Sequence, residues 1–208
     1  MFYWIGGSPC SGKSTIANSL AEKYGMTVYR CDDAYYEHAK LITPENQPIF
    51  TKLTTGTADE IWLRPVDEQV REELGVYREE FPFILKDLEA FSQSETVLLE
   101  GAALLPELLA AHGIEQRRCI WIVPTEEFQN EHYAQRDWRH GVLAECSDPE
   151  QGWQNWMARD AGFAAAVAQS ANSLGFRVII VDGKTSIADN LQTVESHFRL
   201  SQKPPIAS

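Results

Sequence analysis

Five short segments of the chain are almost continuously apolar, which is the pattern of strands buried on both faces of a parallel sheet. Between these segments, apolar residues recur three or four positions apart, as they do along one face of a helix. Strands that alternate with helices favour an α/β three-layer sandwich, and we expect a single domain over residues 1–208 with a five-stranded parallel sheet. The predicted strands cover residues 2–5, 26–31, 96–100, 118–123 and 177–181.

Two longer stretches interrupt this alternation and are predicted to be helical. Residues 34–91 begin with a segment punctuated by prolines, which we expect to form one short helix and loops over the sheet. A helical pattern then resumes at Val66, and because Pro82 lacks the N–H group of a helix interior, we expect two consecutive helices there. Residues 125–160 form the second helical stretch, and the tail 201–208 is expected to be disordered.

The charge balance and the start of the chain exclude several kinds of partner. The chain has 18 lysine and arginine residues against 30 aspartate and glutamate residues, and a net charge of −12 repels a nucleic-acid backbone. The sequence begins without the basic and long apolar segments of a signal peptide, and no apolar run reaches the roughly 18 residues of a membrane span. We therefore expect a cytoplasmic protein that binds neither nucleic acid nor membrane; no pattern indicates an oligomeric state.

The most specific motif lies between the first predicted strand and the helix after it. The stretch GGSPCSGKST, residues 6–15, contains the pattern G-x-x-x-x-G-K-S/T in full and is called the glycine-rich loop below. Glycines allow successive backbone N–H groups to point inward around an anion, and the following helix adds its own free N–H groups. Lys13 is expected to reach the β- and γ-phosphates of a nucleotide and Ser14 to ligate Mg²⁺. The predicted phosphate-binding residues are Gly7, Ser8, Pro9, Cys10, Ser11, Gly12, Lys13, Ser14 and Thr15.

Two acidic sites follow predicted strands, at the end of a parallel sheet where ligands gather. Asp32 and Asp33 follow the second strand, where a carboxylate can take a proton from an attacking hydroxyl or hold a metal-bound water. They can also cap the next helix, and we favour Asp32 for catalysis and Asp33 for capping. Glu100 ends the third strand beside Gly101, and it can orient a Mg²⁺-bound water or bind substrate unless it faces solvent. The predicted metal ligands are Ser14, Asp32 and Glu100.

The second helical stretch carries basic residues that stand out in so acidic a chain. In EFQNEHYAQRDWRHGVL, one helix would bring His132, Arg136, Arg139 and His140 largely to one face, and Arg159 follows in the next helix. Such a cationic face suggests a lid that binds phosphates and neutralises charge in a transition state. The alternative is a solvated helix surface.

Together these stretches resemble the small-molecule kinase branch of the P-loop proteins, the nucleoside-monophosphate-kinase-like fold of shikimate, gluconate and chloramphenicol kinases. The resemblance is carried by GGSPCSGKST, VYRCDD, LLEG, YAQRDWRH and VIIVDG, and it extends over essentially the whole chain. The stretch LLEGAALLPE is also similar to the corresponding strand and turn of 2-phosphoglycerate kinases and zeta-toxin-like kinases.

The resemblance implies roles for residues outside the glycine-rich loop. Asp32 or Asp33 would activate or bind the phosphoryl acceptor, Arg136 and Arg139 would act from the lid, and residues 34–91 would surround the acceptor. The loop after the last strand would pack against adenine, through Asp182, Gly183, Lys184 and Thr185. Further candidates for contact with the acceptor are Arg64, Arg71, Arg78, Arg159, Glu100 and Gly101. The arginines among them would suit an anionic acceptor.

The sequence therefore predicts an ATP- and Mg²⁺-dependent kinase that transfers a γ-phosphoryl group to a hydroxyl of a small molecule. Nucleoside-monophosphate kinases carry an Asp-Gly-aromatic-Pro stretch after the third strand, and this chain reads EGAALLP there, which disfavours a nucleotide acceptor. A toxin-like kinase that acts on a nucleotide sugar is a variant of the same hypothesis. The alternative is a P-loop ATPase or nucleotide-binding sensor without a small-molecule acceptor. A GTPase-like switch is disfavoured because the chain lacks the N-K-x-D stretch of guanine-binding proteins.

Overall fold

Five strands form one sheet in which all neighbouring strands run parallel, as predicted. The computed structural model describes residues 1–200, and the tail 201–208, expected to be disordered, lies outside the described residues. The strands are β1 Phe2–Gly7, β2 Thr27–Arg30, β3 Val97–Glu100, β4 Cys119–Pro124 and β5 Arg177–Val181. Their order across the sheet is β2-β3-β1-β4-β5.

Ten α-helices connect and cover the strands over residues 1–200. They are α1 Lys13–Tyr24, α2 Cys31–His38, α3 Pro48–Thr55, α4 Ala58–Trp62, α5 Val66–Asp87, α6 Pro106–Ala111, α7 Glu126–Ala134, α8 Arg139–Val142, α9 Pro149–Ser173 and α10 Ile187–Phe198. Of the helices in this part of the chain, none is both long and apolar enough to cross a membrane.

Helices cover both faces of the sheet because successive residues of each strand point to opposite sides. On one face, Ile5 of β1 lies in a buried cluster with Ile16 of α1 and side chains of α10. On the other face, Trp4 lies in a second buried cluster with Ile84 of α5 and Phe163 of α9. The predicted α/β three-layer sandwich is therefore confirmed.

The sheet brings the predicted chemical groups to one edge. β1 runs two residues further than predicted because Gly6 and Gly7 pair with Trp121 and Ile122 of β4. Since β2, β3 and β1 are parallel neighbours, their carboxyl ends lie side by side. β2 leads into α2, β3 ends at Glu100, and β1 leads into the glycine-rich loop.

The expectation that Pro82 separates two helices is wrong, because α5 continues through it from Val66 to Asp87. The proline is exposed, whereas Phe81 and Ile84 on either side of it are buried in the core. A proline inside a helix costs about 3 kcal/mol, and burying a side chain of this size stabilises by about 1.5–3 kcal/mol. Burial on both sides of the proline therefore offsets its cost.

The segment before α5 is also more helical than predicted, with α2, α3 and α4 in place of one short helix and loops. α3 begins at Pro48, whose missing N–H group is not needed in a first turn. α4 begins with a capping box, in which Thr57 and Glu60 exchange side-chain and backbone hydrogen bonds. These start signals are local, so this segment was readable from sequence.

The predicted continuous helix through Arg136 and Arg139 is wrong as well. α7 ends at Ala134, a turn follows, and α8 begins at Arg139. In the turn, Trp138 packs with its ring centroid 5.8 Å from that of Trp156 in α9. The two arginines consequently do not share one helix face.

Candidate functional site

The shape of the glycine-rich loop depends on two of its glycines. Gly7 has a φ of 134°, and a Cβ atom there would lie 1.9 Å from the backbone oxygen of Ile122 in β4. Gly12 has a φ of 80° and is the N-cap residue of α1. A side chain at Gly7 would collide with the sheet, and the left-handed backbone at Gly12 favours glycine. The chain therefore turns tightly from the sheet into the first turn of α1, where backbone N–H groups are free.

Three polar side chains of the loop are buried, and two of them lack a protein partner among the described residues. The Lys13 side chain is buried, and its Nζ donates a hydrogen bond of 3.2 Å to the backbone oxygen of Ser8. The Ser8 and Ser11 hydroxyls are also buried, and neither has a hydrogen-bond partner among the described residues. Buried donors that lack partners are costly, so a ligand that accepts from them would stabilise the loop.

Glu100 lies beside the start of α1. Ser14 Oγ donates a hydrogen bond of 3.2 Å to Glu100 Oε2, and Arg30 Nε lies 3.8 Å from Oε1. The carboxyl group is buried, so it does not face solvent; burial raises its pKa, Lys13 opposes that shift, and the charge of Asp32 adds to it. Gly101 allows the end of β3 to lie close to the start of α2, because a Cβ atom at Gly101 would lie 2.5 Å from the Cβ atom of Cys31.

Asp32 and Asp33 lie in the first turn of α2, and both line a cavity next to the glycine-rich loop. Arg30 is the N-cap residue of this helix, so neither aspartate has the capping position considered above. The negative charge of Asp32 raises the pKa of Glu80 as well as that of Glu100. The charge of Asp32 therefore acts both at the end of β3 and on helix α5.

The cavity has a volume of about 710 Å³ and joins the loop to the segment between β2 and β3. Its floor comes from the glycine-rich loop and α2, its walls come from α4, α5 and the turn after β3, and Arg136 and Arg159 come from the second helical stretch. The residues that line it are Pro9, Cys10, Lys13, Ser14, Cys31, Asp32, Asp33, Tyr35, Tyr36, Leu53, Ile61, Trp62, Glu73, Val76, Tyr77, Glu80, Ala102, Ala103, Arg136 and Arg159.

The two arginines in the cavity have different surroundings. The Arg136 guanidinium lies 5.0 Å from the ring centroid of Tyr133, and its charge opposes the rise in the pKa of Cys10 that burial causes. Arg159 forms ion pairs of 3.1 Å with Glu73 and 2.6 Å with Asp160. Burial opposes the charge of Arg159, but the two carboxylates outweigh it and raise its pKa. Arg136 thus faces the loop, whereas Arg159 is engaged by its neighbours.

Four other arginines of the sequence prediction lie outside the cavity lining. Arg139 packs against Trp153, with its guanidinium 4.5 Å from the ring centroid. The others form ion pairs at or near the surface: Arg64 with Glu72, Arg71 with Asp67, and Arg78 with Glu107. Local spacing could have indicated the pair of Arg71 with Asp67, four residues away, but not the partners of Arg64 and Arg78.

The segment after β5 passes the glycine-rich loop but does not line the cavity. A Cβ atom at Gly12 would lie 2.8 Å from Cδ1 of Ile187, so the two segments are in contact. Asp182 accepts a hydrogen bond of 3.0 Å from the backbone N–H of Lys184, which lowers its pKa. Gly183 has a φ of 82°, and it lies against the ring of Phe128.

Sequence reasoning missed a buried network behind the cavity. His38 Nδ1 lies 2.9 Å from Glu80 Oε1, and His38 Nε2 lies 3.0 Å from Asp87 Oδ2. Tyr29 donates a hydrogen bond of 2.7 Å to the same oxygen of Asp87. The partners of His38 are more than 40 residues away in sequence, so no local pattern links them. Glu73, Tyr77 and Glu80 do recur at helical spacing, and that pattern could have indicated one polar face of α5.

The network predicts how stability depends on pH. Burial lowers the pKa of His38, but hydrogen bonds to Glu80 and Asp87 outweigh it and raise the pKa above 6.5; burial also raises the pKa of Glu80. The folded state therefore binds more protons than the unfolded state. The stabilisation is complete below about pH 6.5 and is lost as pH rises through the folded-state pKa of His38.

We expect the free energy of unfolding in urea to fall between pH 6 and pH 8, by at most about 1.4 kcal/mol per pH unit for one proton. His38→Gln should flatten this slope, because the amide cannot titrate. His112→Gln is the matched control, since His112 Nδ1 lies 2.9 Å from the backbone oxygen of Leu108 in α6, and its ring packs against Phe81. An identical slope in wild type and His38→Gln would contradict the assignment.

The oxygen atoms near Ser14 fit Mg²⁺ that arrives with a nucleotide. Over residues 1–200, no group of three or more histidine, cysteine, aspartate or glutamate side chains is arranged to hold a metal by itself. Ser14 Oγ and Glu100 Oε2 are hard oxygen donors 3.2 Å apart, and Asp32 is close enough to affect the pKa of Glu100. Mg²⁺ prefers such donors and keeps waters and phosphate oxygens as further ligands.

No protein-family model matches the chain, and no curated protein matches it. Among solved structures, the chain is similar to deoxyadenosine kinase from M. mycoides with bound dATP, at 12% identity and a TM-score of 0.49, over 96% of this chain and 100% of that chain. It is similar to TT1252 from Thermus thermophilus at 17% identity and a TM-score of 0.45, over 92% of each chain. A provisionally named kinase from Chloroflexus aurantiacus matches at 14% identity and a TM-score of 0.48, over 94% of this chain and 97% of that chain. These identities and TM-scores do not establish an activity, which therefore follows from the residues of the site alone.

Proposed function

We propose that the protein is an ATP- and Mg²⁺-dependent kinase that transfers the γ-phosphoryl group to a hydroxyl of a small molecule. One observation carries the proposal. The glycine-rich loop and the carboxylates of α2 line the same cavity of about 710 Å³, which extends beyond them between α4 and α5. A nucleotide on the loop would thus direct its terminal phosphate toward a walled space that can hold an acceptor.

The nucleotide is held mainly by the glycine-rich loop. Backbone N–H groups of the loop and the first turn of α1 surround the phosphates, and Lys13 turns from Ser8 to the β- and γ-phosphates. Ser14, Glu100 and Asp32 would hold Mg²⁺, which would supply positive charge that offsets the charge of the phosphates. The segment Asp182, Gly183 and Lys184 is the candidate contact for the base, because it lies next to the loop.

Asp32 is the candidate base for the acceptor. The acceptor oxygen forms a bond to the γ-phosphorus while the bond from that phosphorus to the bridging oxygen breaks, ADP leaves with the electron pair, and Asp32 takes the hydroxyl proton. Asp33 lines the cavity and is a candidate contact for the acceptor, whereas Gly101 lies outside the lining; Arg136 neutralises charge on the moving phosphoryl group. Of the two arginines predicted for this role, Arg139 lies outside the cavity lining, so we keep the role for Arg136 alone.

An ATPase or sensor without an acceptor would need the loop but not the space beside it. The carboxylates and aromatic rings beyond the loop favour the kinase, because they give that space the polar groups of a binding site.

The test is Mg²⁺- and ATP-dependent release of ADP across a panel of hydroxyl compounds. We expect one class of compound to raise the release well above the rate without acceptor, and to gain a phosphoryl group detectable by mass spectrometry. Release that no compound accelerates would support the ATPase. Absence of ATP binding by the wild type would contradict the assignment of the loop itself.

A further inference from the structure

We propose that the acceptor is an alcohol that bears a protonated amine, recognised by Glu80 and the acidic wall of the cavity; this inference rests on the kinase function proposed above. Four carboxylates line the cavity: Asp32, Asp33, Glu73 and Glu80. The basic side chains that line it are Lys13, Arg136 and Arg159.

Glu80 supplies an unused acceptor atom in the cavity wall. Its side chain is fully buried in α5, with 0% of the residue exposed. Oε1 lies 2.9 Å from His38 Nδ1, whereas Oε2 has no hydrogen-bond partner among the described residues. A buried carboxylate oxygen without a donor is unfavourable, and a ligand N–H group would satisfy it.

The charges near Glu80 favour a cation over an anion. Lys13 bonds to the Ser8 backbone oxygen of the loop, and the charge of Arg136 acts on Cys10 of the loop, so both are assigned to the phosphates of the proposed nucleotide. Arg159 is the basic residue at the other end of the cavity, and it is already paired with Glu73 and Asp160. His38 is likewise shared between Glu80 and Asp87. With these pairs made, Asp32 and Asp33 still leave an excess of negative charge at the end of the cavity away from the loop, called the acceptor end, and this charge would repel a carboxylate or phosphate on the acceptor.

Aromatic rings add to this preference. Tyr35, Tyr36 and Tyr77 line the same cavity, and ring faces attract cations. The wall already contains one contact of this kind, because the Arg159 guanidinium lies 4.9 Å from the ring centroid of Trp62. A primary or secondary ammonium group on the acceptor can therefore donate to Glu80 while it lies against tyrosine rings.

The experiment uses a set of small alcohols in matched triplets, in which an amine is present, acetylated or replaced by a carboxylate. Ethanolamine, N-acetylethanolamine and 3-hydroxypropanoate form one triplet. Binding to the full chain, loaded with Mg²⁺ and a non-hydrolysable ATP analogue, is measured by saturation-transfer NMR. We expect amines to bind at least about tenfold more tightly than their acetylated partners, which corresponds to about 1.4 kcal/mol.

Glu80→Gln should remove this preference, since the amide keeps the shape of the side chain but not its charge. Glu45→Gln is the matched control, because Glu45 is an exposed carboxylate outside the cavity lining. If Glu80→Gln does not fold, Asp33→Asn should reduce the preference for the same reason.

Three results would overturn the inference: acetylated or carboxylate compounds that bind as tightly as the amines, no amine that binds, or an unchanged preference in the folded Glu80→Gln variant. Binding of the ATP analogue, measured in the same samples, separates the two proposals. If the analogue binds and the amine preference is absent, only the amine inference fails. If the analogue does not bind to the wild type, the kinase function fails with it.

Discussion

Lys13→Met is expected to lower acceptor-dependent ADP release by about 10²–10³-fold, the usual effect of removing one donor that stabilises charge in a transition state. Lys13 is buried in the glycine-rich loop, and its ammonium group is 3.2 Å from the Ser8 backbone oxygen. Methionine has a similar length and no charge, so it fills the same space. The loss should therefore come from charge that no longer meets the β- and γ-phosphates.

Rates and stability are measured together to separate this effect from misfolding. We expect the free energy of unfolding without nucleotide to change little, because Lys13 contributes a single side-chain hydrogen bond in the described structure. Lys40→Met is the matched control, since Lys40 forms an exposed ion pair with Glu37 on α2. A Lys13→Met variant that keeps more than about a tenth of the wild-type rate would contradict the proposed role of the loop.

The sheet and the loop were predictable because their signals are local. Strands such as Cys119–Pro124 are apolar on both faces, and the order of strands and helices along the chain then favours a parallel sheet. The glycines of the loop are required by backbone geometry: Gly7 by the approach of Ile122 and Gly12 by its positive φ. Residue types within short segments therefore indicated both the strands of the sheet and the position of the glycine-rich loop at the end of β1.

The acceptor end was less predictable because it depends on contacts between distant segments. Arg64 and Arg159 were both candidates for contact with the acceptor, yet Arg64 pairs with Glu72 outside the cavity and Arg159 lines it. The helical spacing of Glu80 could have indicated a polar face, but not the contact with its partner His38, which lies 42 residues away. Pro82 misled for the same reason, because burial of Phe81 and Ile84 against other elements holds the helix together.

The two aspartates of α2 should respond differently to loss of their charge. Asp32→Asn is expected to lower kcat by about 10²–10⁴-fold, the range for loss of a general base. Asp32 lines the cavity together with Lys13 of the loop and Glu80 of α5, so we assign it to the place where the γ-phosphate and the acceptor would meet. Asp33→Asn should mainly raise the KM of the acceptor.

The dependence of the rate on pH and on Mg²⁺ distinguishes the two roles proposed for Asp32. If Asp32 is the base, the acidic limb of the kcat profile disappears in Asp32→Asn, and the Mg²⁺ concentration for half-maximal rate stays the same. If it is chiefly a metal ligand, that Mg²⁺ concentration rises and saturating Mg²⁺ restores part of the rate. Equal losses in Asp32→Asn and Asp33→Asn, without either signature, would contradict a base at Asp32. We expect the acidic limb to disappear and the Mg²⁺ concentration for half-maximal rate to stay the same, because Glu100 would still hold Mg²⁺ with Ser14.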